Sequence, residues 1–237
     1  MKAGWISVAR EWLEACLSLF SPRCCVVCGQ PLAKGEEEIC MVCNMHLPRT
    51  NYHLQKDNPV EQLFWGKLPL VRATSYFFYR KGSDYRFILH RLKYGGRKEI
   101  GKTMGEYMAA ELMPSGFFED VDLIVPVPLH KKRQSARGYN QSEWIARGIT
   151  AVTGIPTDCE VVVRRKNSET QTRKSVFERW ENVEGIFELS ASSGLQGKHV
   201  LVVDDVLTTG STIASCCSAL MRAEGVRISV LTLAVAE

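Results

Sequence analysis

Two groups of residues in this chain have types and spacings that can do chemistry. The first is Asp204-Asp205, adjacent carboxylates that follow the apolar run Val200-Leu201-Val202-Val203 and precede Val206-Leu207-Thr208-Thr209-Gly210-Ser211-Thr212. Four apolar residues read as a buried strand, and the stretch from Ile213 to about Glu224 reads as a helix. In open α/β sheets, ligands sit beyond the carboxyl ends of the strands, and a helix start offers unpaired N–H groups to an anion. A Thr/Gly/Ser loop at that point can wrap a phosphate, with Gly210 allowing close approach and a positive φ. The two acids cannot join a phosphate cradle, but they can accept hydrogen bonds from a vicinal diol such as the ribose 2′- and 3′-hydroxyls. Phosphate beside ribose describes a sugar phosphate. The plainer alternative is a solvated Asp-Asp turn with Ser211 or Thr212 as an ordinary N-cap. Desolvating two carboxylates without partners is costly, which favours the ligand role.

The second group is cysteine. Cys25-Val26-Val27-Cys28 and Cys40-Met41-Val42-Cys43 are two Cys-x-x-Cys units, each able to offer two thiolates from a tight turn. Two such turns complete a tetrahedral Zn²⁺ site with no open position, so the metal is structural and contributes to folding. Cys24 and His46 stand close enough in sequence to replace one of the four, and the identity of the ligand set stays open here. Paired units fit a metal better than a redox dithiol. Cys16, Cys159, Cys216 and Cys217 have apolar neighbours and read as core thiols.

Other elements must position these groups. Leu123 to Pro128, opened by Val121-Asp122, reads as a first parallel strand, and the loop Leu129-His130-Lys131-Lys132-Arg133 brings cations to the same sheet edge. Ala73–Tyr79 reads as an aromatic strand. One helix is expected from Ser83 to about Lys93, stopped by Gly95-Gly96, and a second carries Ile100, Met104, Tyr107, Met108 and Leu112 on one face. Strands are expected at Cys159–Val163 and near Gly185–Leu189, with the polar stretch between them as a lid, and Arg227–Val235 as the last strand. The fold class is α/β, a parallel sheet flanked by helices behind a small N-terminal four-cysteine module. The expected organisation is an amphipathic helix at 1–20, a zinc knuckle at 21–50, a linker at 51–72 and the α/β domain at 73–237.

The order of apolar run, two acids, short spacer and Thr-Gly-Ser-Thr resembles the phosphoribosyl pyrophosphate (PRPP) signature of the type I phosphoribosyltransferases. That resemblance implies Asp204 and Asp205 as catalytic acids, Val206, Leu207, Thr208, Thr209, Gly210, Ser211 and Thr212 as PRPP-binding, and Mg²⁺ bound with PRPP. It makes Lys131 and Arg133 pyrophosphate candidates, and Arg164, Gln171, Arg173 and Arg179 candidates on a flexible loop that closes over the ligand. A wider set of motifs sharpens the likeness. After the cysteines come Leu92-Lys93-Tyr94-Gly95-Gly96-Arg97, Pro126-Val127-Pro128, Arg137-Gly138-Tyr139-Asn140-Gln141, and Thr170-Gln171 with Arg179 and Asn182. With the acid pair, this order is similar to the ComF family of bacterial competence proteins over nearly the whole chain from about Phe20. The family implies a zinc knuckle ahead of a phosphoribosyltransferase domain and an association with DNA uptake. No glutaminase module is legible.

Charge excludes little. The chain of 237 residues carries 30 basic and 26 acidic side chains for a net +4, too mild to argue nucleic-acid binding from the total. The basic run Arg80–Lys102, interleaved with Tyr85, Phe87 and Tyr94, is a candidate contact for single-stranded DNA, with a solvated helix face as the alternative. The zinc module is a candidate docking part for other competence proteins. Arg10, Glu11 and Glu14 interrupt the apolar stretch Trp5–Phe20, so no transmembrane segment or signal peptide is expected. The expected location is cytoplasmic, with peripheral contact at the inner membrane as the alternative. Two functions follow: PRPP-dependent assistance to DNA handling, or transfer of ribose 5-phosphate from PRPP to a nitrogenous acceptor.

Overall fold

The computed structural model describes residues 22–165, 186–190 and 194–237. The chain divides into two compact units, Met1–Leu47 and Pro48–Glu237, so the boundary falls before Arg49 and Thr50, which the sequence assigned to the knuckle. The expected helix at 1–20 lies outside the described residues.

In the small unit, backbone bonds build two tight turns. Gly29 N donates to Cys25 O at 2.9 Å and Cys25 N to Gln30 O at 2.8 Å, closing the first, while Cys40 caps the short helix α1, Met41–Met45. Glu36 joins the two halves by accepting from the amides of Ala33 and Met41, each at 2.7 Å.

The large unit is built on four parallel strands: β1 (Leu70–Tyr79), β2 (Leu123–Pro126), β5 (His199–Leu207) and β6 (Arg227–Ala236), in the order β1-β6-β5-β2. β5 is central and reads apolar on both faces because helices cover both. Helices α3 (Arg86–Tyr94), α4 (Glu99–Leu112), α5 (Lys131–Arg137) and α6 (Gln141–Thr153) lie between β1 and β5 in the chain, and α7 (Ser211–Leu220) joins β5 to β6. Val200 and Val202 enter a core shared with Ile213, Cys216 and Cys217 of α7. Helix α6 lies against β5 and β2 and packs most closely on α4. Glycines set that approach: a Cβ on Gly148 would stand 2.1 Å from Lys102 O, and one on Gly105 would stand 2.2 Å from Ile145 O.

Three expectations are corrected. The stretch 51–72 is not a free linker. Pro59–Phe64 forms helix α2, where Asn58 and Glu61 make a capping box and Val60 and Phe64 are buried. The chain before it covers the outer edge of β1. Thr50 N donates to Tyr76 O at 3.0 Å and Phe78 N to Pro48 O at 2.8 Å, while Asn58 Nδ2 reaches Ala73 O at 2.9 Å. An open strand edge invites pairing with other chains, and this segment closes it. Secondly, Lys131 and Arg133 sit on a helix, not a loop; His130 caps α5 and Gly138, at φ 80°, ends it. Thirdly, β3 (Val162–Arg164) and β4 (Phe187–Leu189) do not join the main sheet but pair antiparallel as a separate ribbon. The stretch between them, expected as a lid, lies outside the described residues. Cys216 and Cys217 are buried as expected, whereas Cys159 is exposed.

Candidate functional site

The strand β5 runs out at Leu207, and the chain turns into α7 through Thr208, Thr209 and Gly210. Gly210 is the N-cap residue at φ 75°, a left-handed conformation that favours glycine, and its Cα faces Leu63 and Phe64 of α2, where a Cβ would come within 3.0 Å of both. Thr209 Oγ1 and Ser211 Oγ lie 3.0 Å apart across the turn. The result is a small open hollow lined by Asp204, Val206, Leu207, Thr208, Thr209, Gly210, Ser211, Thr212 and Ile213. The first-turn amides of α7 belong to residues that line it, and those amides have no partner within the helix. Leu207 is buried, so its side chain serves the core and only its backbone is available to the hollow.

The acids are held by residues from two distant segments. Ser142 Oγ, in the first turn of α6, donates to Asp204 Oδ1 at 2.9 Å, and the Asp205 amide donates to the same oxygen at 2.9 Å. Lys93 Nζ, in the last turn of α3, lies 3.2 Å from Asp205 Oδ2. Asn140 places Ser142: its Oδ1 accepts from Ser142 N and its Nδ2 donates to Val127 O at 3.0 Å. Tyr139 places Lys93 by donating from its hydroxyl to Leu92 O at 2.5 Å. Burial, and then the Asp205 charge, push the Asp204 carboxyl up to about 7 against the opposing pull of its hydrogen bonds and Lys93.

A second cation acts on Asp204 from the ribbon. Arg164 is half-buried at the end of β3, its guanidinium 5.3 Å from the Phe187 ring centroid. Burial and the charge of Arg133 hold Arg164 below the usual guanidinium value, while Asp204 acts in the opposite sense. The structure thus brings Arg164 into the electrostatic reach of Asp204 and sets Arg133 near Arg164; Lys131 is exposed on α5. Gln171, Arg173 and Arg179, with Thr170 and Asn182, lie outside the described residues. Sequence reasoning did not place Lys93 or Ser142 in the site. A signal is present, since Lys93 lies inside the motif Leu92-Lys93-Tyr94-Gly95-Gly96-Arg97 and Ser142 directly follows Arg137-Gly138-Tyr139-Asn140-Gln141.

In the small unit the sulfur atoms of Cys25, Cys28, Cys40 and Cys43 all lie within 4.8 Å of one another, and Cys28 and Cys40 are 3.8 Å apart. A tetrahedron of 2.3 Å Zn–S bonds has edges of about 3.8 Å, so the cluster fits zinc. Cys24 Sγ is turned to Pro22 O and His46 Nδ1 to Val42 O, which leaves both outside the four. Burial acts to raise Cys25, but amide bonds from Cys28, Cys40 and Val27 outweigh it and bring the thiol down to about 7. Cys43 moves the other way, raised by burial and by its neighbouring thiols.

A parallel sheet with helices on both faces, an acid pair and a hydroxyl-lined helix entry define the class: a type I phosphoribosyltransferase fold behind a four-cysteine module. The family model described as phosphoribosyl transferase domain matches residues 132–236. The DNA utilization protein YhgH of Escherichia coli K12 is 31% identical, over 85% of this chain and 92% of that protein. Competence protein F of Haemophilus influenzae is 32% identical over 59% of this chain and 62% of its own, and competence protein ComFC of Bacillus subtilis 26% identical over 81% and 75%. The chain belongs to the ComF family, with YhgH and ComFC. Among solved structures, glutamine PRPP amidotransferase from Bacillus subtilis is 22% identical over 55% of this chain and 25% of its own, at a TM-score of 0.36, too loose a likeness to build on. Among the described residues no helix is long and apolar enough to cross a membrane.

Proposed function

We propose that this chain binds PRPP at the end of β5 and uses that site in the handling of DNA. One observation carries the reading: Asp204, the Thr208–Thr212 turn and the first turn of α7 share one hollow. The 5′-phosphate takes the amides and hydroxyls of Thr208, Thr209, Gly210, Ser211 and Thr212, with the backbone of Val206 and Leu207 as its wall. Asp204 Oδ2 and Asp205 Oδ1, which have no donor among the described residues, accept from the ribose hydroxyls. Arg133 and Arg164 face the pyrophosphate, and Lys131 joins them from the exposed start of α5. Gln171, Arg173 and Arg179 stay with this reading as lid residues on the strength of the sequence. Mg²⁺ bound with PRPP supplies charge neutralisation of the pyrophosphate. Calorimetry with PRPP and Mg²⁺ tests the proposal, with binding expected for the native protein and a large loss for Asp204→Asn/Asp205→Asn. Equal affinity in both would remove the ribose role from the acids.

The charge of Arg164 acting on Asp204 favours a second reading, in which the site also turns over. A nitrogen nucleophile attacks ribose C1, the bond to pyrophosphate breaks with its electron pair, and the nucleophile loses its proton to solvent. Arg133 and Arg164 then hold the leaving pyrophosphate, and the acids hold the sugar as positive charge develops on it. Pyrophosphate release with a nitrogenous acceptor is the expected result; PRPP binding without release on any acceptor would make the domain a sensor.

The DNA part of the proposal draws on the printed names of the relatives. Its surface is α3 and the turn after it, where Arg91, His90 and Tyr94 are exposed and Arg86 lies over Phe87. Lys93 is excluded from that surface because the acid pair holds it. Single-stranded DNA binding that weakens with salt and falls in Arg86→Gln/Arg91→Gln is the expected result; no binding at low salt would refute it. The four cysteines hold one structural Zn²⁺, and exposed Met41, Val42 and Met45 on α1 offer the docking face for other competence proteins. The site of action is cytoplasmic, with peripheral contact at the inner membrane.

A further inference from the structure

Two adjacent carboxylates withdrawn from water form a divalent-cation site by default, because oxygen-rich anionic pockets suit hard cations. Here an internal cation is already in place. Lys93 Nζ lies 3.2 Å from Asp205 Oδ2, with the two side chains only 20% and 12% exposed. The amine is positioned rather than adventitious. The Tyr139 hydroxyl clamps Leu92 O, the residue just before it, at 2.5 Å. Lys93 also sits in the last turn of α3, where the carbonyl end of the helix favours positive charge. On the neighbouring acid, Ser142 and the Asp205 amide occupy Asp204 Oδ1. Each acid therefore keeps one oxygen committed to the protein and one without a donor among the described residues.

We propose that Lys93 is the resident counter-cation of the acid pair, and that it makes the pair selective for a neutral vicinal diol over a free divalent ion. This rests on the sugar-phosphate reading. A diol brings two hydroxyl donors and no charge, which matches one open acceptor on each acid. Free Mg²⁺ gains little at Asp205, because the charge it would neutralise is already met by an ammonium that would have to be expelled. Removing the amine leaves buried Asp205 and half-buried Asp204 uncompensated and turns the diol site into a metal site. Lys93 thereby acts as a positioning residue, through Asp205, on what the site accepts.

The test uses the full zinc-loaded chain and Mn²⁺ alone as the probe, with bound ion counted by electron paramagnetic resonance. The native protein is expected to take up no Mn²⁺ at the acid pair below about millimolar concentration, the usual range of a weak oxygen site. Lys93→Met gains one site about tenfold or more tighter, a factor that represents 1.4 kcal/mol. That site disappears in Lys93→Met/Asp205→Asn, and Lys93→Arg behaves as the native chain. Tight Mn²⁺ uptake by the native protein that Asp205→Asn abolishes would overturn the proposal, as would unchanged uptake in Lys93→Met. The native arm decides the matter even if Lys93→Met fails to fold. PRPP titrated in parallel separates the two ideas: a native chain that ignores PRPP ends the sugar-phosphate reading, while the Mn²⁺ comparison still judges the counter-cation.

Discussion

Asp204→Asn removes a charge from the site while keeping its shape and its hydrogen bonds. The asparagine Oδ1 can go on accepting from Ser142 Oγ and the Asp205 amide, both at 2.9 Å in the native structure. What disappears is a carboxylate that burial and the Asp205 charge push from 3.8 up to about 7. A carboxyl whose pKa rises on folding favours the native state while it is protonated in both states. That contribution is fully present below the unfolded value near 4 and is lost as pH rises through the folded value near 7. About three units at ~1.4 kcal/mol each set an upper limit near ~4 kcal/mol at pH 8. Asp204 is only half-buried and its partners can relax, so about 2 kcal/mol is the working figure, or roughly 5 °C in melting temperature for a unit of this size. Ligand-free, zinc-loaded protein melted at pH 8 and again at pH 5.5 reads it directly. The variant is expected to melt above the native chain at pH 8, with the gap cut by about half at pH 5.5. An Asp204→Asn protein no more stable than native at pH 8, or a gap that widens as pH falls, would refute the reasoning. The same variant should bind PRPP more weakly, so stability and ligand binding move in opposite directions.

Gly148→Ala should destabilise the large unit by about 3 kcal/mol, because the new methyl meets a backbone oxygen that α4 cannot move cheaply; a melting point within a degree of native would contradict this. Asn58→Ala removes both the cap of α2 and the bond to Ala73 O at the sheet edge. About 2 kcal/mol of lost stability in urea unfolding is expected, together with more concentration-dependent association as the edge opens. Chelation at neutral pH should release one zinc per chain and abolish slow exchange at the Val26 and Leu32 amides, which are bonded to Glu38 O at 2.9 Å and Arg23 O at 2.8 Å. Protection that survives with no metal present would show that the turns stand without it.

The parts legible from the sequence are those whose geometry is made by consecutive residues. An apolar run, two acids and a Thr/Gly/Ser turn specify a strand, its end and a helix entry within a few positions, and Asp204 does line the hollow formed there. Two Cys-x-x-Cys units likewise carry most of their metal geometry in local turns, and the tertiary structure had only to choose four sulfurs over Cys24 and His46. What touches the acids was decided elsewhere. Lys93 and Ser142 reach them from α3 and α6, and the charge of Arg164 acts on Asp204 from a ribbon outside the main sheet. Nothing in the local pattern of those segments says which charge they will meet. Helix α5 was hidden because it buries none of its residues and so carries no apolar period, and α2 because its cap reads equally as a turn. Periodicity reports what a segment buries, whereas ion pairs and edge coverage depend on which distant segments the core brings together.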